Sequence, residues 1–288
     1  YMGCVIAVNP LNTQMCTELE QLCGGINYGA ARGVGSVSFS AMALVMGLLT
    51  KKYGASVLPL SGLVSVFAQG IVLYVITRRT GMRPTAAQPQ RSGEQAASLA
   101  GFIRGNGRFC VLMLGIAMLF FSCNLSNNFL INIARNVGGD EASLGGINAF
   151  MALTEVPVMF LYDRMARKIG CPATIRIAAA AFVAKALGIA LAGSVPALYA
   201  AHALQALSFA VITPAMVRYV NLYISSKDSA KGQSISYNMT TLGSIFASCL
   251  GGVMFDSMSV RAALLTGTAV AAVGAAVCLV FARPADRS

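Results

Sequence analysis

Runs of about 20 predominantly apolar residues recur along the chain, each long enough as a helix to cross the hydrocarbon of a bilayer. No other feature restricts the fold as severely. The runs fall near 28–50, 55–77, 109–133, 143–162, 171–193, 196–218, 234–255 and 261–282. Eight full spans follow, and residues 1–16 read as the end of a ninth. Composition agrees: 11% of the 288 residues are charged, against about 25% in soluble domains. Water is therefore the wrong solvent, and the expected fold is all-α, a polytopic transmembrane helical bundle. A net charge of +11 would suggest nucleic acid in a soluble protein. Here the cations sit between apolar runs, so the lipid bilayer is the expected partner and nucleic acid is not.

Orientation follows from the loops, since Lys and Arg concentrate on the cytoplasmic side. One set of loops holds Arg78, Arg79, Arg83, Arg91, Arg104, Arg108, Arg164, Arg167, Lys168, Arg176, Lys227, Lys231, Arg283 and Arg287. The other holds Lys51, Lys52, Arg135 and Arg261. This bias puts the first set and the C-terminus in the cytoplasm.

The longest polar segment, within 78–108, is rich in Pro, Gln, Ser, Gly and Arg and reads as a linker between two bundles. The expected organisation is a remnant of an N-terminal bundle over 1–80, a cytoplasmic linker over 81–108 and a six-helix bundle over 109–288. Tyr1 opens inside an apolar stretch with no initiator Met, so the chain is expected to be a fragment. GLLTKKYG (47–54), FLYDRMARKIG (160–170) and GGVMFDSMS (251–259) close spans three apart, as three-helix repeats would.

Function is sought among polar groups that hydrocarbon excludes, since a charge at mid-bilayer costs at least ~2.5–3.5 kcal/mol. Arg32, Glu155, Lys185 and Arg218 fall inside spans, and Glu155 is the acidic residue placed well within one. A carboxylate between desolvation and a nearby cation can take up and release a proton. The alternative is a static ion pair of Glu155 with Lys185 or Arg32. Asn124, Asn128 and Asn132 recur at i, i+4 and i+8, with Asn127 beside them. Such a stripe either lines a polar cavity or joins helices by hydrogen bonds. Asn148 lies seven residues before Glu155 and is expected on its face. Ser234, Tyr237, Asn238, Thr241, Ser244 and Ser248 form a weaker stripe, equally readable as close-packing material. His202 and Gln205 share a face that Ser208 continues. His202 reads either as a proton relay or as a residue near the outer surface. The eight cysteines are scattered in or beside apolar runs with one His, so no metal site is readable.

INYGAARGVGSVSF (26–39) resembles the start of the fifth helix in the oligosaccharide–proton symporter branch of the major facilitator superfamily, the lactose permease-like branch, to which nucleoside symporters are related. The resemblance implies that Arg32 binds the solute and that Phe39 stands where the family stacks an aromatic ring on it. FLYDRMARKIG is similar to the superfamily's Asp-Arg-x-x-Arg/Lys loop motif, which implies a gating or structural role for Asp163, Arg164 and Arg167. Glu155 falls about one turn from the family's eighth-helix carboxylate, and Lys185 matches a ninth-helix Arg that assists proton release. HALQALSF (202–209) resembles the tenth-helix segment with the family's His, but Gln205 and Ser208 stand where a proton-carrying Glu is sought. Either Glu155 carries the proton, or coupling to protons is absent.

The resemblance implies twelve helices in the whole protein, with the first three and part of the fourth absent here. Asn9, Pro10 and Asn12 would lie in that partial helix. The expected activity is secondary transport of a small polar solute (a sugar, oligosaccharide or nucleoside) with protons, by a monomer in the cytoplasmic membrane and without a cofactor. An efflux pump for amphipathic compounds and a non-transporting sensor on the same fold are the alternatives. A membrane enzyme would need convergent catalytic groups, and no HExxH, Ser/His/Asp set or Asp-rich motif is present.

Overall fold

The computed structural model describes residues 28–54, 56–80, 99–225 and 228–282. Asn9, Pro10 and Asn12, most of the linker, and Lys227, Arg283 and Arg287 lie outside the described residues. Every regular element within them is helical: α1 (Tyr28–Tyr53), α2 (Val57–Thr80), α3 (Leu99–Gly105), α4 (Gly107–Asn128), α5 (Leu130–Asn136), α6 (Glu141–Ile169), α7 (Cys171–Leu191), α8 (Val195–Ala203), a 3₁₀ turn (Leu204–Ala206), α9 (Phe209–Tyr223), α10 (Ser229–Ser257) and α11 (Val260–Phe281). Six helical stretches among the described residues are long and apolar enough to cross a membrane. They are α4, α6, α7, the α8–α9 stretch, most of α10, and α11.

Local chemistry explains where the helices start and stop. Asp140 begins α6 with a capping box: its side chain accepts from the Ser143 backbone N–H at 2.9 Å, and Ser143 Oγ accepts in return. Gly170, at φ 83°, ends α6 and immediately precedes α7, whose first turn contains Pro172. Ser194 and Ser259 cap α8 and α11 through the N–H groups of Ala197 and Ala262.

The core centres on α4, whose Leu112, Met113, Ile116 and Leu119 are fully buried. Lipid offers no hydrophobic drive between helices, so association depends on close backbone approach at small residues. A Cβ on Gly274 of α11 would stand 2.6 Å from the Gly115 carbonyl oxygen of α4. One on Gly243 of α10 would stand 2.5 Å from the Ala117 carbonyl oxygen. Glycine at these positions lets both helices lie directly on α4, with α7 and α9 closing the bundle around Phe182, Ala215 and Tyr219.

Two spans that read as continuous are interrupted. The fourth-helix run breaks at Phe129, where φ −108° and ψ 19° separate α4 from α5. Phe129 stacks on Phe255 at 4.6 Å, and a Cβ on Gly251 would meet its ring at 2.5 Å. The other break is the 3₁₀ turn between α8 and α9, where both Leu207 and Ser208 donate to the Leu204 carbonyl. Residues Leu99–Gly105 of the expected linker form a helical turn with Phe102 buried against Phe109 at 6.0 Å.

Candidate functional site

The 3₁₀ turn carries Gln205 into the bundle interior, where it is 4% exposed. Its Oε1 accepts from Lys185 Nζ of α7 at 2.6 Å, and its Nε2 donates to Glu155 Oε1 of α6 at 2.8 Å. Lys185 is 2% exposed, with the Met151 sulfur 3.9 Å from its ammonium. The expected alternative of a direct Glu155–Lys185 ion pair is thus replaced by a chain in which a neutral amide separates the two charges. Both ends of the amide suit this role, since its oxygen only accepts and its nitrogen only donates.

His202 is fully buried, three residues before Gln205. Its Nδ1 lies 2.7 Å from the Leu198 carbonyl, which can only accept, so Nδ1 carries the hydrogen. Its Nε2 is buried with no hydrogen-bond partner in the structure. A mid-span 3₁₀ turn breaks helical regularity where function needs it. This one gathers His202, Gln205, Lys185 and Glu155 into one region.

The amide stripe is divided by the break at Phe129. Asn124 is half-buried and donates to its own helix at the Phe120 carbonyl, 2.8 Å away. Asn128 donates to Ser248 Oγ of α10 at 2.9 Å, the interhelical bond of the alternative reading. Asn132, beyond the break on α5, is exposed, and Asn148 on α6 is half-buried. Asn127 Oδ1 is buried without a partner. Arg32 lies on α1, and its side chain is outside the described residues. Phe39, two turns further along α1, is 58% exposed. Ser234, Asn238 and Thr241 of the weaker stripe face a cavity of about 880 Å³ whose other walls include Leu99, Leu114, Leu242 and Ile245.

Residues 7–265 match the MFS_1 like family. The chain belongs to this family, a major facilitator family of membrane transporters. It is 22% identical over 278 residues to the maltose permease of Geobacillus stearothermophilus, an alignment covering 96% of this chain and 68% of that protein.

The segment Phe160–Gly170 closes α6. Asp163 accepts from Arg218 Nη1 of α9 at 3.3 Å, while Arg164 and Arg167 are exposed. Arg164 and Lys168 border a cavity of about 440 Å³ against Leu207, next to the 3₁₀ turn. The α6 helix is therefore tied at two places, to the 3₁₀ turn through Glu155–Gln205 and to α9 through Asp163–Arg218. Pro157 and Pro214 lie between the two ties, one in each helix. Each removes a helix hydrogen bond and permits bending there.

Tyr199 and Arg176 make further contacts between helices. Tyr199 of α8 brings its hydroxyl to α6, where a Cβ on Gly146 would lie 2.0 Å from it, and its ring meets Phe150 edge-on at 5.5 Å. Arg176 donates to the Ala282 carbonyl at 2.7 Å and so closes the C-terminal end of α11. A Tyr or Met inside an apolar run gives no period of its own, so Tyr199 and Met151 carried no signal in sequence.

Proposed function

We propose that this protein is a secondary active transporter of a small polar solute, a sugar, oligosaccharide or nucleoside, coupled to protons as a symporter in the cytoplasmic membrane. The observation that carries the reading is the chain Lys185–Gln205–Glu155, with the cation and the amide buried, the carboxylate half-buried, and the amide on the turn that interrupts a span. Two charges in a bilayer interior are expensive, and a neutral amide between them leaves each able to respond to a proton. Ionised Glu155 accepts a charge-assisted bond from Gln205. Protonation weakens that bond and loosens the tie between α6 and the turn. Such loosening is the step that alternating access needs, since one bundle rocks against the other around a midplane site.

His202, with Nε2 available inside the same region, extends the proton path. Arg32 and Phe39 supply solute contacts on α1, together with Asn124, Asn128, Asn132 and Asn148. One amide hydrogen bond each at Asn124 and Asn128 leaves capacity for hydroxyl groups. Asp163, Arg164 and Arg167 act at the cytoplasmic gate, where Arg218 holds the first of them. The likeness to a maltose permease supports the sugar class. On this reading residues 1–80 are the remainder of the N-terminal bundle, 81–108 the linker and 109–288 the C-terminal bundle, in a monomer whose C-terminus faces the cytoplasm.

The test is proton flux in vesicles holding the full-length protein, on addition of a panel of sugars and nucleosides. Alkalinisation outside with one solute class is the expected result, and Glu155→Gln should abolish uphill accumulation while sparing exchange. Unaltered uphill uptake by Glu155→Gln would sink the coupling role. The largely apolar wall of the 880 Å³ cavity favours amphipathic solutes as a second reading. In that case the sugar panel stays silent and an amphipathic dye is extruded.

A further inference from the structure

We propose that a crevice among α5, α7 and α11 binds one sugar ring, as a site separate from the Lys185–Gln205–Glu155 chain. The crevice has a volume of about 220 Å³ and shares no residue with that chain. Drug-sized ligands fill ~300–1,000 Å³, so this space suits a single pyranose rather than an oligosaccharide.

Two helix ends meet across it. At the end of α7 the Ala192 N–H takes the Ile189 carbonyl, and among the described residues no backbone N–H caps the carbonyls of Ala190 and Leu191. Carbonyls in the last turn of a helix point out of its C-terminal end and accept from whatever lies beyond. The α11 helix starts here with Val260 and Arg261, whose N–H groups belong to an unpaired first turn. Ser259 caps the Ala262 N–H and leaves those two.

Side chains complete the set. Arg261 and Asn136 line the crevice and are exposed, and neither side chain has a hydrogen bond or ion pair among the described residues. Arg261 offers donors in a fixed fork, and Asn136 offers both donor and acceptor. Ile133, Ile189 and Leu264, all buried, form an apolar floor.

This mixture selects the ligand class. An anion would gain from Arg261 but meet the carbonyl end of α7, whose dipole carries partial negative charge. A cation would meet the guanidinium. A neutral ring whose hydroxyls both donate and accept satisfies both helix ends, and its C–H face covers the apolar floor.

The site is read from geometry and stands independently of the transport reading. The experiment uses Gly193→Cys in the full-length protein, held in phosphatidylcholine nanodiscs so that no sugar-headed detergent is present. Gly193 lines the crevice, and a Cβ there meets nothing within 4 Å, so the thiol is tolerated. Reaction with a maleimide is followed above the background of the parent protein. Saturating methyl α-glucoside should slow it several-fold, and Arg261→Gln or Asn136→Leu should each abolish that protection. Equal rates with and without the glucoside overturn the site. Protection that survives both substitutions overturns it too, because the sugar then acts from elsewhere in the protein. Protection by inorganic phosphate in place of the glucoside rejects the neutral ligand. Retained protection beside a silent proton-flux panel rejects the symport reading and leaves this site standing.

Discussion

Gln205 takes the Lys185 ammonium at 2.6 Å, a contact between a buried cation and a neutral amide oxygen on a 3₁₀ turn. The ion pairs Lys51–Asp140, Arg135–Glu141, Arg218–Asp163 and Lys231–Asp228 are all at least partly exposed. Here the cation is desolvated and its carboxylate lies one residue further along the chain of bonds. The stability of this cluster and the coupling proposed for it therefore turn on a side chain that carries no charge.

Gln205→Leu removes the acceptor of Lys185 and a donor to Glu155 together. Leaving a buried charge without its partner destabilises by roughly 3 kcal/mol or more. The melting temperature of the detergent-purified full-length protein should fall by several degrees. Gln205→Glu should restore much of that loss by pairing directly with Lys185, while altering the pH dependence of uptake. Equal melting temperatures for Gln205→Leu and the parent would remove Gln205 from the stability of the site.

Gly274→Ala places a methyl group where the Gly115 carbonyl oxygen is 2.6 Å away. The α4–α11 crossing must then widen, at a cost of about 1–3 kcal/mol. Gly252→Ala meets open space and, within a helix, should be neutral or slightly stabilising. Thermal unfolding of the two variants side by side checks the contrast, and an equal effect would contradict the packing described for α4.

The hydrogen bond from Lys51, with those from Ser143, holds the Asp140 carboxyl well below its ordinary value of 3.8. A depressed carboxyl contributes its stabilisation above the unfolded-state pKa and loses it as pH falls through the folded-state pKa. The Lys51–Asp140 ion pair between α1 and α6 should therefore hold unchanged from neutral pH down to about pH 4, and weaken only in stronger acid. The melting temperature of the full-length protein relative to Asp140→Asn across that range tests this. A difference that already shrinks between pH 7 and pH 5 would show that another group controls the contact.

Six of the eight expected spans, those from 109 onward, stand as helices long and apolar enough to cross a membrane, because bilayer thickness imposes a length and length survives in a sequence without any knowledge of neighbours. The polar residues of the candidate site were legible for the same reason, since Glu155, Lys185 and Gln205 stand out against apolar surroundings. Their connectivity was not, because the face of an apolar helix is set by its neighbours rather than by its own period. The amide stripe shows the limit: i, i+4 spacing assumes an unbroken helix, and the Phe129–Phe255 stack interrupts it. The 3₁₀ turn at 204–206 likewise has neither Gly nor Pro to announce it. Lys51 and Asp140 read as ordinary loop charges, because a pair 89 residues apart has no local signature.

A single residue, Gly170, separates α6 from α7. With no loop to pay out between them, the two helices should enter lipid as one hairpin in a single step. Glu155 and Lys185 would then reach hydrocarbon together, one on each arm of that hairpin. Glycosylation mapping of truncated nascent chains would show α6 and α7 crossing together, whereas stable insertion of α6 alone would break this order of assembly.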